Sequence, residues 1–205
     1  TDWSYPKGIG TNAVTSKLIV RHNTDSTHKL YNISEDETLE SINTSTEIAS
    51  DNRMNFTNTG DIVYCMNGSD EFGKLVWTTY TTPSTWIASF APAFSVIFNS
   101  SQFASWRSTN PNIVYKSVWD NFEDFNSTWS DQFKFEEAIT GLCANNEALF
   151  YFTKNTISVT GKGDILDSSW ALVYNTTKLT TKEWSNYHNT IVTAWTSIYY
   201  FSNSN

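Results

Sequence analysis

Glu123, Asp124, Glu136, Glu137, Glu147 and Glu183 lie in stretches rich in aromatic rings. Two carboxylates about 5–10 Å apart across a cleft would hydrolyse a glycosidic bond. The strand motifs that carry the glutamates of small β-sandwich xylanases are absent. Glu136 and Glu137 are adjacent, so in an extended chain they point to opposite faces and form no pair. Other catalytic arrangements fail on spacing. His22 and His28 are too far apart for zinc, and His188 stands alone. No G-x-S-x-G nucleophile motif occurs, and Gly161-Lys162-Gly163-Asp164 lacks the frame of a phosphate-binding loop. Asp51, Asn55 and Asp61 lack the spacing and closing Glu of a calcium loop. The reading is a protein without catalysis, metal or cofactor. Among nine Trp, Trp106, Trp119 and Trp129 could form a platform on which sugar rings stack; the alternative for each is core packing.

Asn32, Asn43, Asn55, Asn67, Asn99, Asn126 and Asn175 each begin an Asn-X-Ser/Thr triplet, the acceptor for N-linked glycans in exported proteins. Cys65 and Cys143 are the only cysteines. An even count fits one disulfide, worth roughly 4 kcal/mol for a loop of about 78 residues; two free core thiols are the alternative. Ser and Thr supply about a quarter of the chain, and charged residues only 17%. These features together point to an extracellular protein. A net charge of -8 with no Lys/Arg run argues against nucleic acid. No apolar run approaches the roughly 18 residues of a membrane helix.

The elements that must position these residues read as strands. Trp86–Phe98 alternates with one strongly apolar face, interrupted at Pro92, which cannot donate to a ladder. Further strands are expected over Val14–Val20, Asp61–Cys65, Lys74–Tyr80, Ile113–Trp119, Ala148–Thr153, Thr156–Thr160, Ser169–Tyr174 and Thr190–Phe201, the last inside the sheet system. Gly161-Lys162-Gly163 reads as a hairpin turn leading to Ile165. Short helices are expected after Ser34 and Thr180, each with a glutamate at capping-box spacing, and along the stripe Phe122, Phe125, Trp129, Phe133. The class is all-β: a β-sandwich, or two small β lobes sharing a core.

Thr1–Gly10 is a separate segment. Trp3, Tyr5 and Ile9 fall on one face of an extended chain, and Gly10-Thr11-Asn12 follows as a hinge. On this segment, ahead of an all-β body and with its hydroxyl-rich composition and acceptor sites, the chain resembles subunits of archaeal thread filaments. Those are glycosylated surface fibres similar to bacterial type 1 pili. The resemblance implies an Ig/pilin-like sandwich of residues 11–205, completed by residues 1–10 of a neighbouring subunit. Trp3, Tyr5 and Ile9 would be the plugs of that donor strand. It further implies a head-to-tail homopolymer at the cell surface, with covalent N-linked glycans as its only additions. Such a contact does not close and so propagates. A secreted carbohydrate-binding or adhesive β-sandwich is the second reading, and a glycoside hydrolase the third.

Overall fold

The computed structural model describes residues 9–12, 17–24, 27–33, 38–44, 48–50, 52–85, 87, 89–126, 130–161, 165–166, 172–173, 176–180, 191–194 and 197–200. The fold is all-β, with small antiparallel sheets and, among the described residues, no helix. The helix expected after Ser34 does not reach Leu39, where a strand (Leu39–Ser41) begins and pairs with Tyr31–Ile33; the one expected after Thr180 lies outside the described residues. The chain forms two compact units, residues 1–95 and 96–205.

In the first unit β1 (Ile9–Asn12), β2 (Lys17–Thr24), β3 (Thr27–Ile33) and β4 (Leu39–Ser41) follow one another across one sheet. Five strands form the next: β5 (Asn43–Thr44), β6 (Asn55–Thr59), β7 (Ile62–Met66), β8 (Gly73–Val76) and β9 (Thr79–Thr81). Its order is β5-β9-β8-β7-β6, with β5 running parallel to β9. β7 is an interior strand between β8 and β6 and reads Ile-Val-Tyr-Cys-Met, buried from Val63 onward. A strand covered on both faces needs apolar residues at consecutive positions. β8 alternates buried and half-buried positions, as a one-sided strand does. Ile19, Leu30, Ile42, Ile48, Met54, Val63, Cys65, Leu75 and Tyr80 pack into one core. Full burial of each large apolar side chain is worth about 1.5–3 kcal/mol.

β10 (Phe94–Phe98), in which the boundary falls, starts a second run of sheets. It is followed by β11 (Ser101–Arg107), β12 (Asn110–Lys116) and β13 (Asp131–Lys134), again in chain order. Asn99 and Ser100 both have positive φ, +47° and +55°, the backbone of a type I′ hairpin turn. The next sheet holds β14 (Ile139–Ala144), β15 (Ala148–Thr153) and β16 (Ile157–Gly161). The short pair β17 (Ile165–Leu166) and β18 (Leu172–Val173) intervenes before β19 (Thr176–Thr180) joins β16. β20 (Val192–Ala194) and β21 (Ser197–Tyr199) pair with each other. Phe98, Phe103, Phe133 and Tyr151 form a chain of ring contacts with centroids 6.0–6.3 Å apart.

Several expectations need correction. The strand read over Trp86–Phe98 begins only at Phe94. The irregular segment before it is tied down instead by Gly68 N–H to Pro92 O (2.9 Å) and Phe72 N–H to Phe90 O (2.8 Å). A two-residue turn, Trp77-Thr78, divides the strand read over Lys74–Tyr80. The Phe122–Phe133 stripe is not a helix: it runs through turns, and Phe133 lies in β13. Gly161 does not lead into a hairpin with Ile165, because β16 pairs β19 and β17 pairs β18. Within the stretch read as one interior strand over Thr190–Phe201, two short strands, β20 and β21, pair antiparallel instead, with Val192 and Tyr199 exposed.

The two cysteines are free thiols in place of the expected disulfide. Cys65 is closed into the first unit's core, where burial pushes its thiol pKa far up. Cys143 packs with Phe152 and Ile157 and shares a short hydrogen bond with the Thr193 hydroxyl. Burial raises its pKa as well, partly offset by that hydroxyl.

Candidate functional site

The second unit contains a groove of about 470 Å³. Its wall is the β13 strand and its continuation, Gln132 to Glu137. Thr153, Thr156, Ser158, Thr176 and Lys178 line the other side. The wall follows the strand period. Phe133, Phe135 and Glu137 are half-buried, while Gln132, Lys134 and Glu136 are exposed. Tyr151 lies against both rings, with centroids 6.3 Å from Phe133 and 4.8 Å from Phe135.

Glu137 is held by the turn between β15 and β16. The Thr153 hydroxyl donates to Oε2 at 2.7 Å, and Asn155 N–H donates to the same oxygen at 3.0 Å. The Asn155 side-chain amide donates to Oε1. The turn is itself braced, with Thr153 N–H to Thr156 O at 2.9 Å and the two threonine hydroxyls 2.8 Å apart. The Asn155 amide, then the Thr153 hydroxyl, hold the Glu137 carboxyl below the ordinary range. Glu137 is therefore a fixed anion. A general acid needs a raised pKa, the opposite condition. Two lysines, two carboxylates, several hydroxyls and two phenylalanines line the groove and leave it with near-zero net charge.

The remaining candidates are scattered. Trp119 is 62% exposed on a braced loop. There Asp120 N–H donates to Ser100 O at 2.7 Å, and Val118 N–H to Asp124 O at 2.8 Å. Trp106 is in β11, and Trp129 lies outside the described residues. Glu147 is exposed; Glu183 and His188 lie outside the description, and His22 and His28 are on β2 and β3. Among the described residues no group of three His, Cys, Asp or Glu could hold a metal ion. Nor is any described helix long and apolar enough to cross a membrane.

The acceptor asparagines divide by environment. Asn126 is exposed. Asn32 is fully buried on β3, and neither its amide nitrogen nor its oxygen has a hydrogen-bond partner. Asn67 is buried as a loop brace: Oδ1 accepts from Ser69 N–H (3.0 Å) and Asp70 N–H (2.8 Å), and Nδ2 donates to Asp70 (2.6 Å). Asn55 donates to Ala93 O at 2.7 Å, and Asn99 is half-buried in its turn. Asn43 is on β5, and Asn175 lies outside the described residues. Of the donor-strand residues, Trp3 and Tyr5 also lie outside. Ile9 and the following Gly10 pair with Val20 and Ile19 of the same chain.

No known protein family matches the chain, and no curated protein does. Among solved structures, Kluyveromyces lactis Hsv2 with its complete loop 6CD is similar at 12% identity and a TM-score of 0.40, over 86% of this chain and 63% of that one. Hsv2 with that loop replaced by a Gly-Ser linker is similar at 13% identity and a TM-score of 0.30, over 91% and 43%. The chain thus spans less than two thirds of the solved chains it matches.

Proposed function

We propose that this chain is a non-catalytic extracellular adhesion protein that binds carbohydrate in the β13–β16–β19 groove. The supporting observation is the state of Glu137: the half-buried carboxylate is ionised and engaged by Thr153 and Asn155. What faces the hollow is what a sugar needs: hydroxyls, ammonium groups and the rings of Phe133 and Phe135. Among the acceptors whose side chains are described, Asn126 is the exposed one, open to carry a glycan. The test is binding of the purified protein to an immobilised oligosaccharide array, beside Phe135→Ala and Lys178→Ala variants. Signals lost in both variants, with the fold retained, support the reading. Signals equal to the unaltered chain refute it.

The filament reading stands second, favoured by the position of β1 at the edge of its sheet, directly after Thr1–Gly8. Within its sheet β1 bonds only to β2, while it also lies close to β6 of the neighbouring sheet, so strand addition in trans falls to the residues that precede it. With Ile9 and Gly10 paired in cis, the donor shortens to residues 1–8, a reach of about 26 Å. Negative-stain microscopy of the full chain and of a chain lacking residues 1–8 tests it. Fibres only from the full chain support polymerisation; monomers from both exclude it.

A further inference from the structure

β13 is the last strand of its sheet and bonds to β12 alone. Phe135 N–H donates to Asn112 O at 2.9 Å, and the Asn112 side-chain amide donates to Phe135 O at 2.9 Å. Along an antiparallel strand the backbone groups point alternately to one side and the other. Phe133 and Phe135 therefore bond toward β12, and Gln132 and Lys134 turn theirs outward. The Gln132 N–H is taken by Asp131 Oδ1 at 2.7 Å. Among the described residues, the Gln132 C=O and the Lys134 N–H and C=O are left without a partner. Six consecutive residues, Gln132 to Glu137, line the groove, so it runs along this open edge rather than over one face of the strand.

The opposite wall holds a second unmet group. Ser158 is 7% exposed and lines the groove beside Lys178, its partner in the ladder. Among the described residues its hydroxyl has no hydrogen-bond partner. A hydroxyl so deeply buried takes its hydrogen bond from whatever fills the groove. A strand edge on one side and a hydroxyl on the other match a trans secondary amide, whose N–H and C=O point opposite ways. The half-buried Phe133 and Phe135 suit an attached methyl group. Two lysines against two carboxylates favour a neutral ligand. Three open backbone groups are few for a whole peptide strand and enough for one amide. We propose that the groove selects 2-acetamido sugars, with the acetamido group bonded between the β13 edge and Ser158. This rests on the carbohydrate reading of the groove and names the sugar class within it.

The test is calorimetric titration of the full chain with chitotriose, cellotriose and the uncharged peptide acetyl-Thr-Val-Thr-Val-Thr-Val-amide. Chitotriose should bind at least about tenfold tighter than cellotriose. Ser158→Ala should weaken chitotriose about threefold to tenfold, as one hydrogen bond does, and leave cellotriose unchanged. That variant should melt no lower than the unaltered chain, since the hydroxyl bonds nothing in the fold. Lys134→Pro removes an N–H that the ladder does not use, and should bind chitotriose more weakly than Lys134→Ala. Equal or weaker binding of chitotriose than of cellotriose overturns the acetamido assignment and leaves the carbohydrate reading standing. Chitotriose affinity unchanged in Ser158→Ala does the same, as does a lower melting temperature of that variant, because the hydroxyl would then serve the fold. Tightest binding of the peptide also overturns it, because the edge would then take a strand. No binding of any sugar, here or on the array, overturns both.

Discussion

Replacing Glu137 by Gln isolates the charge of the groove's central anion. Thr153 Oγ1, Asn155 N–H and the Asn155 amide all donate to its two oxygens. Gln can still accept at one oxygen, but its amide nitrogen then faces a donor. The Thr153 hydroxyl is not orphaned, because Thr156 Oγ1 remains 2.8 Å away. This keeps the loss well below that of a stranded buried charge. Hydrogen bonds to a charged group are worth about 1.5–3 kcal/mol each when well shielded. Glu137 faces an open groove, so solvent screening reduces the total to about 1–2 kcal/mol. With an m-value of about 2 kcal/mol/M, the urea midpoint should fall by about 0.5–1 M at pH 7. The pH dependence has a fixed sign. The folded carboxyl has a lowered pKa, so its stabilisation is complete above the unfolded value of about 4.3. It is lost as the pH falls through the folded value. Urea titrations of both proteins at pH 7, 4 and 2.5 should show a gap that closes with acid. Equal midpoints at pH 7, or a gap constant across the series, would refute the assignment.

Gly73→Ala should destabilise the first unit by about 1–3 kcal/mol. A Cβ there would collide with the hydroxyl and ring of the buried Tyr80, and a fall in melting temperature of several degrees checks it. Asn32→Leu should raise stability by about 1 kcal/mol, since it removes a buried amide with no partner; chemical denaturation is the readout. Site mapping by mass spectrometry of protein from a glycosylating host should find Asn126 occupied and the buried Asn32 empty. Ellman's reagent at pH 8 should be inert toward Cys65 in the native protein and titrate two thiols after unfolding without reductant.

Ala148–Thr153 was legible in the sequence to the residue, because β-branched and aromatic side chains there leave no competing pattern. The turns were not. Trp77-Thr78 and Asn99-Ser100 reverse the chain without glycine, so the strands around them merged or escaped notice. The aromatic richness also produced a false helical stripe at Phe122–Phe133. With so many rings, a three-to-four spacing arises by coincidence and carries little weight. Glu136 and Glu137, expected on opposite faces of an extended chain, both line one groove, in bends just beyond β13. Their groove was invisible, because it joins residues near 135, 155 and 177 through the pairing of β16 with β19. The one available signal was Thr153-Lys154-Asn155-Thr156, a hairpin tip whose polar side chains brace it and reach the neighbouring Glu137.

The chain-order arrangement of the sheets bears on how the protein is made. Nearly every strand of the first unit bonds to one just synthesised before it, so few long loops must close. At about 5–20 residues per second, the ribosome needs roughly 5–20 s to finish the 110 residues after Ser95. Hairpins form in microseconds. Residues 17–81 can thus close their sheets before the second unit has emerged, and their apolar strands spend little time open to aggregation.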